Sequence, residues 1–243
     1  MEIVSPVAIG AIGGSGTRVV ARLLMELGYY IGSDLNHAND NLLFTSKFKR
    51  LEILNMSHQT FSVLLDEFVS EMKTGCDLAG QSKWAWKEPN THIVIDRLLR
   101  LLPKLHYIHV IRHGLDMAHS NNQNQPRLWG SFFLGGEPQE HIEPRYSLKY
   151  WCAVHRRIMN IASHPDFSHR ILFIDYDELC HNPLVVIRRL CSFLKHDEKN
   201  IDTHELADLI QNPGSIGRWK KFGLDIFDAG DLAYLSEYYG CMS

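Results

Sequence analysis

The sequence predicts an α/β protein with three layers, in which a parallel β-sheet is flanked by helices on both faces. Two observations support this class. Short apolar segments, suited to strands buried on both faces, alternate with longer segments in which apolar residues recur at helical spacing. This order builds right-handed crossovers and therefore a parallel sheet. Ligands of such sheets bind beyond the carboxyl ends of the strands, so we expect the functional site there.

Four segments have the composition of buried strands, and each ends near glycine, proline or polar residues. They cover residues 7–12, 83–89, 105–112 and 170–176. Helical spacing predicts helices over residues 17–27, 58–74, 91–103, 116–121, 148–162 and 183–194. Asn90 or Thr91, Ser147 and Asn182 are the expected caps, because their short polar side chains can accept from free helix N–H groups. Residues 121–143 are rich in Asn, Gln, Pro and Gly and are predicted to be a long loop.

Length and composition narrow the function classes. The 243 residues, 45% of them hydrophobic, predict a single domain over residues 1–243. A net charge of −3 argues against a nucleic-acid partner. We expect no signal peptide and no membrane span, and the odd number of cysteines without a C-x-x-C pair predicts reduced thiols and a cytoplasmic location. The 14 histidines show no metal-ligand spacing, so no metal is expected.

The segment VAIGAIGGSGTRVVARLLMELG predicts a strand, a glycine-rich loop and a helix. A loop of this kind offers backbone N–H groups and the positive end of a helix dipole to an anion. Gly13, Gly14 and Gly16 allow a phosphate to approach closely, while Ser15 and Thr17 add hydroxyl donors. The alternative is a simple strand-to-helix turn, with glycines required only by sterics.

Two nucleotide-binding families fit this loop poorly. A nucleoside-triphosphatase or kinase loop needs a lysine before its Ser or Thr, and here Gly16 precedes Thr17 and Arg18. The string GGSGTR is also similar to the loop of sugar nucleotidyltransferases, but VVARLLMELG continues as an amphipathic helix in place of the segment that follows in that family.

The loop and three later segments, IRHGLDMAHS, FIDYDELCHNP and GSIGRWKKF, occur in an order that resembles the family of sulfotransferases that use 3′-phosphoadenosine 5′-phosphosulfate (PAPS). The resemblance spans about residues 7–222. It implies a sheet architecture similar to that of P-loop nucleoside triphosphatases, with PAPS as co-substrate and no metal. The acceptor would be the hydroxyl or amine of a small molecule or glycan.

The resemblance also implies which residues bind PAPS. The loop residues Gly13 to Arg18 would hold the 5′-phosphosulfate, and Arg112 with Ser120 would hold the 3′-phosphate. Tyr176 would lie near the adenine, and Arg218, Trp219 and Lys220 would belong to a loop that closes over the 3′-phosphate. The alternatives are structural: an ion pair of Arg112 with Asp116, a packed tyrosine, and a solvated basic turn.

The resemblance further implies that Lys87 lies beside the transferring sulfuryl group. Glu88 is the first candidate for the general base, followed by Asp34 and His37 in a segment that also contains Asp40. Glu88 could instead form a structural ion pair with Lys87 or an arginine.

The family usually has Lys or Arg where this chain has Gly14. We therefore hypothesise that Arg18, together with Lys87, supplies the missing cation, and that Arg18→Ala would lower turnover by roughly 10²–10³-fold. Arg18 could instead point to solvent or pair with an acid. The competing interpretation of the whole chain is a nucleotide-binding protein on the same fold that has lost transferase activity.

Overall fold

The computed structural model describes residues 5–196 and 201–240. Its sheet has five parallel strands in the order β2-β3-β1-β4-β5. The strands are β1 (Val7–Ala11), β2 (Tyr29–Tyr30), β3 (Lys83–Lys87), β4 (His106–Ile111) and β5 (Ile171–Asp175). The predicted class, a parallel sheet flanked by helices, is confirmed.

Helices connect the strands and cover both faces of the sheet. They are α1 (Thr17–Glu26), α2 (Leu42–Phe48), α3 (His58–Leu78), α4 (Ile95–Leu101), α5 (Gly114–Ala118), α6 (Asn124–Leu134), α7 (Pro144–Ala162), α8 (Pro165–Ser168), α9 (Tyr176–His181), α10 (Pro183–Phe193), α11 (Thr203–Asp208) and α12 (Ala229–Gly240). Short 3-10 helices lie at Leu51–Leu54, Pro89–Ile93 and Arg218–Lys221. No helix in the described part of the chain is long and apolar enough to cross a membrane.

Two apolar cores, one on each face, hold the layers together. On one face α1, α9 and α10 pack against the sheet through residues such as Leu24 and Ile187. On the other face α3, α4 and α7 bury an aromatic core that includes Trp86 and Trp151. Because these strands are buried on both faces, they are almost continuously apolar, which is why the sequence reveals them.

Strand register brings the predicted functional segments to one edge. Ile9 lies beside Lys87 at the end of β3, and Ala11 lies beside Val110 near the end of β4. Ile111 in turn pairs with Asp175 at the end of β5. The glycine loop and the residues that follow β3, β4 and β5 therefore emerge at the same carboxyl edge.

The prediction of a long loop over residues 121–143 is wrong, because α6 occupies residues 124–134. Polar residues, Pro126 and Gly130 conceal this helix in the sequence. Burial of Trp129 anchors it, and the Trp129 Nε1 donates to Asn90 Oδ1 at 2.8 Å. Packing against the core thus overrides a weak local helix propensity.

Two predicted caps are also wrong. Helix α7 begins at Pro144, so Ser147 lies inside it and is buried. Asn90 and Thr91 belong to the 3-10 helix Pro89–Ile93, whose cap is Glu88, and α4 begins only at Ile95. Proline fixes a backbone angle that suits the first helical position, so α7 begins at Pro144 and the 3-10 helix begins at Pro89, each upstream of its predicted cap.

Candidate active site

The glycine loop is shaped by two backbone conformations that favour glycine. Gly14 has φ +95° and Gly16 has φ +88°. The Ser15 N–H and hydroxyl both donate to Ile12 O, at 3.2 and 2.7 Å, which folds the loop over the end of β1. Within the described residues, the backbone N–H groups of Gly16, Thr17 and Arg18 have no hydrogen-bond partner. These donors at the start of α1 can bind an anion.

Tyr176 packs on the glycine loop from the β5 side. A Cβ atom at Gly16 would lie 2.2 Å from two ring carbons of Tyr176, so only glycine fits there. The ring also faces the Arg112 guanidinium at 5.5 Å, within the range of a cation–π contact. Burial raises the pKa of the Tyr176 hydroxyl to about 12, so it stays protonated as a donor.

Arg112 is a buried cation on the β4 side of the glycine loop. It follows β4 and is only 5% exposed. Its Nη1 donates to Gly14 O at 3.3 Å and its Nη2 donates to Ser215 Oγ at 2.8 Å. Its Nε is buried and has no partner within the described residues. The alternative ion pair with Asp116 is absent, so the Arg112 charge is available to a ligand.

Asp116 instead fixes the loop at residues 215–219, which contains Arg218. Its carboxylate is completely buried and accepts from the backbone N–H groups of Gly217, at 2.7 Å, and Trp219, at 3.1 Å. Arg218 lies between these two residues, and its Nε donates to Ser215 O at 3.3 Å. Burial and the nearby Arg112 both lower the pKa of the Arg218 guanidinium. Asp116 therefore holds a second guanidinium beside the first.

The remaining residues predicted on this side are less constrained. Ser120 is half-buried, and its Oγ accepts from the Asn122 N–H at 3.2 Å. Trp219 stacks on the His113 ring, with centroids 5.3 Å apart and planes 7° apart, while Lys220 is exposed. Sequence reasoning missed Asn122, whose amide faces the loop: a Cβ at Gly13 would lie 3.4 Å from its Nδ2.

Lys87 lies on the opposite side of the loop, at the end of β3. It is 2% exposed, and its Nζ donates to Ala38 O at 3.1 Å and forms an ion pair with Asp40. The other carboxylate oxygen of Asp40 accepts from Asn36 Nδ2 at 2.9 Å. The segment after α1 thus folds over Lys87, and it brings Asp40 there rather than Asp34 or His37, which are both exposed.

Glu88 is buried beside Lys87 but serves as a helix cap. Its two oxygens accept from the Asn90 backbone N–H, at 2.5 Å, and from Asn90 Nδ2, at 2.8 Å. The nearest cation is Lys49, 3.8 Å away, and not Lys87. Burial raises the pKa of the Glu88 carboxyl to about 6. Both oxygens accept from Asn90, so this carboxylate is poorly placed to take a proton from a bound acceptor.

Arg18 is exposed in the first turn of α1 and forms no ion pair with the described residues. It therefore adopts the solvent-facing alternative and not a pairing with Glu88 or Asp34. Among residues 5–196 and 201–240, no group of three or more His, Cys, Asp and Glu side chains is arranged to hold a metal ion.

A family model described as "Sulfotransferase family" matches residues 6–199. The match covers well over half of the chain, and the chain belongs to this family. Comparison with curated proteins finds no match.

Solved sulfotransferases share the fold. The sulfotransferase domain of the Synechococcus PCC 7002 olefin synthase aligns over 99% of this chain and 96% of its own, with a TM-score of 0.57 and 15% identity. The sulfotransferase STF9 from Mycobacterium avium aligns over 99% and 77%, with a TM-score of 0.58 and 12% identity. A sulfotransferase from Alicyclobacillus acidocaldarius aligns over 97% and 95%, with a TM-score of 0.50 and 18% identity.

Proposed function

We propose that this protein transfers the sulfuryl group of PAPS to a hydroxyl or amine of a small molecule or glycan. The acceptor oxygen or nitrogen attacks sulfur, and the bond between sulfur and the bridging oxygen breaks. Adenosine 3′,5′-bisphosphate leaves with the bonding electrons, and the acceptor proton passes to a carboxylate. The expected reduced cysteines favour a cytoplasmic reaction.

The pair of Arg112 and Arg218 carries the proposal. Neither guanidinium has a carboxylate within ion-pair distance among the described residues. Arg112 also touches the loop through Gly14 O, and its buried Nε has no partner. A site with loop N–H donors and two adjacent guanidinium groups fits a ligand with two separate anionic groups, such as a 5′-phosphosulfate and a 3′-phosphate.

Lys87 and Asp40 are the groups we assign to the reacting side. Lys87 would stabilise negative charge on the sulfuryl oxygens and the bridging oxygen as the bond breaks. Asp40 would accept the acceptor proton, because its Oδ1 loses its partner when Lys87 turns to the sulfuryl group, whereas both Glu88 oxygens stay bonded to Asn90. Before the reaction, Lys87 must exchange the Asp40 carboxylate for the sulfuryl group.

A nucleotide-binding protein without transferase activity remains a second candidate. Gly14 supplies no side-chain cation to the loop, Arg18 is exposed, and Asp40 balances the charge of Lys87. In that case Arg112, Arg218 and the glycine loop would bind the nucleotide, while Lys87 stayed paired with Asp40.

Two measurements test the proposal. In a thermal-shift titration, adenosine 3′,5′-bisphosphate at 100 times its dissociation constant should stabilise the fold by about 2.7 kcal/mol, and ATP should bind far less well. Equal or better binding of ATP contradicts the nucleotide assignment. Transfer of labelled sulfuryl from PAPS to a panel of hydroxyl and amine acceptors then separates the enzyme from the binding protein, which would bind the bisphosphate without turnover.

A further inference from the structure

The segment NHAND, residues 36–40, folds into a tight turn that carries Asp40 to Lys87. Asn36 builds this turn with its side chain. Its Oδ1 accepts from the backbone N–H groups of Ala38 and Asp40, both at 2.9 Å, and its backbone N–H donates to Asp40 O at 3.2 Å. Asparagine favours such turns because its side chain can bond the backbone two residues further on.

Asn36 also holds the carboxylate that the turn carries. Its Nδ2 donates to Asp40 Oδ2 at 2.9 Å, while Lys87 Nζ donates to Asp40 Oδ1. The next residue fixes the backbone at this point, because the Asn41 N–H donates to Lys87 O at 2.8 Å. The two oxygens of Asp40 therefore have separate tasks: Oδ2 is bonded to the turn, and Oδ1 is bonded to the lysine.

This division matters for the exchange that sulfuryl transfer requires. When Lys87 turns to the sulfuryl group, Asp40 Oδ1 loses its partner, whereas the bonds from Asn36 to Asp40 do not involve the lysine. The carboxylate therefore stays beside the lysine with one oxygen free. The Asp40 side chain is 20% exposed, against 2% for Glu88, so a bound acceptor can approach it.

We propose that Asn36 is a positioning residue for sulfuryl transfer, which holds Asp40 in place after Lys87 has left it. The inference rests on the proposed function, in which the proton of the acceptor hydroxyl or amine passes to Asp40 Oδ1. Without the Asn36 amide, the released carboxylate would rotate about its side-chain bonds. The free oxygen would then point to the acceptor in only a fraction of encounters, and a general base is effective only within hydrogen-bond reach of the proton.

Two substitutions separate the amide from the turn. Asn36→Ser keeps an oxygen that can accept from the turn N–H groups but is too short to reach Asp40 Oδ2, whereas Asn36→Ala removes both functions. Both should lower kcat by about 10–100-fold, at most the contribution of a general base, and should change the KM for PAPS by about twofold or less. If Asn36→Ser kept the kcat of the parent, the turn alone would matter and the proposal would be wrong.

Asp202→Ala is the matched control. Asp202 Oδ1 also accepts from two backbone N–H groups, those of His204 and Glu205, at the start of α11. Its loss should leave kcat unchanged. A double-mutant cycle then tests whether Asn36 acts through Asp40: in an Asp40→Ala background, Asn36→Ser should lower kcat no further, because no carboxylate is left to hold. A further loss of the same size contradicts the proposal.

Acetylation of Lys87 by acetic anhydride, followed by mass spectrometry, tests the same contacts without turnover. The Lys87 side chain is 3% exposed beneath the turn. Asn36→Ser should raise its acetylation rate by about three- to tenfold, the usual effect of losing one hydrogen bond, but should have no effect in an Asp40→Ala background. Lys47, whose ion pairs with two glutamates lie outside the turn, is the internal control. Absence of turnover in the parent contradicts the proposed function, whereas unchanged Lys87 acetylation in Asn36→Ser overturns the role of Asn36.

Discussion

The two sides of the glycine loop handle charge in opposite ways. On the β4 side, neither Arg112 nor Arg218 has a carboxylate of the described residues within ion-pair distance, and Asp116 accepts instead from the backbone N–H groups of Gly217 and Trp219. On the β3 side, each cation has one: Lys87 pairs with Asp40, and Lys49 lies 3.8 Å from Glu88. The guanidinium groups of the first side are therefore free to contact an anion directly, whereas the lysines of the second side already contact carboxylates.

This difference assigns the two sides different tasks. Fixed cations whose donor groups are not bonded to a carboxylate bind an anion with little rearrangement, which favours affinity for the ground state. A lysine that must exchange one anion for another contributes when charge develops during the reaction. We therefore expect changes on the β4 side to alter nucleotide affinity, and changes on the β3 side to alter turnover.

The largest expected effect is on stability, and it limits the pH range in which the two sides can be compared. His92, His109 and His155 form a buried cluster. The His109 ring centroid lies 6.3 Å from that of His92 and 5.3 Å from that of His155. Each ring has one nitrogen without a partner within the described residues. Burial lowers the pKa of His92 to about 3 and of His155 to about 4, and that of His109 well below its usual range.

These shifts predict acid instability. The unfolded chain takes up protons below about pH 6.5 while the folded cluster stays neutral, so each histidine costs about 1.4 kcal/mol of unfolding free energy per pH unit. In urea titrations the three histidines should contribute almost nothing to the slope of the unfolding free energy above pH 7.5. Near pH 5 they should contribute a fall of about 4 kcal/mol per unit of acidification, which the raised pKa of Glu88 partly offsets. His155→Phe should reduce this slope by about one third, and an unchanged slope would contradict the assignment.

The second prediction tests the reacting side. Lys87→Met should lower turnover by about 10²–10³-fold, the typical cost of removing one group that stabilises the transition state. Calorimetry should show bisphosphate affinity within a few-fold of the parent. Lys47→Met is the control, because this lysine pairs with Glu67 and Glu71 away from the loop. If Lys87→Met lost affinity and turnover equally, the proposed difference between the two sides would disappear.

The third prediction tests the β4 side, which is expected to bind the nucleotide. Arg112→Ala should weaken adenosine 3′,5′-bisphosphate binding by about 1.5–3 kcal/mol, the range for hydrogen bonds to charged groups. The loss should be smaller for adenosine 5′-phosphate, which has no 3′-phosphate. Arg127→Ala, an exposed arginine of α6, should bind both ligands as the parent does. Equal losses for both ligands in calorimetry would show that Arg112 does not recognise the 3′ position.

Sequence patterns reveal the groups that lie at strand ends and miss those positioned by distant contacts. Arg112 and Tyr176 follow strongly apolar strands, so their edge of the sheet is predictable. Asp116 contacts backbone N–H groups about one hundred residues further along the chain, and no local pattern records that. The pairing of Asp40 with Lys87 likewise depends on how the segment after α1 folds. Helix α6 is likewise not visible in the sequence pattern, because the burial of Trp129 against distant residues stabilises it.

The fourth prediction separates a cap from a base at Glu88. Its raised pKa, about 6, means that the folded protein binds this proton more tightly than the unfolded chain does. The carboxylate therefore lowers stability as pH rises from about 4.5 to 6, by about 2 kcal/mol in total. Between pH 4 and 7.5, Glu88→Gln should gain about that much unfolding free energy relative to the parent. Its turnover should stay within threefold, and a hundredfold loss would identify Glu88 as the base.

The smallest expected effect is at Arg18, where the structure changes the expectation drawn from the sequence. An exposed charge is screened by water and salt, and exposed ion pairs typically contribute about 0.2–1 kcal/mol. Arg18→Ala should therefore lower turnover by about fivefold or less, and added salt should shrink the difference. Restoring a lysine by Gly14→Lys should not rescue the loss, because φ +95° strains any residue other than glycine. A loss of 10²-fold or more in Arg18→Ala, insensitive to salt, would instead show that Arg18 swings over the loop during the reaction. Arg18 would then supply, together with Lys87, the positive charge that the loop lacks at Gly14.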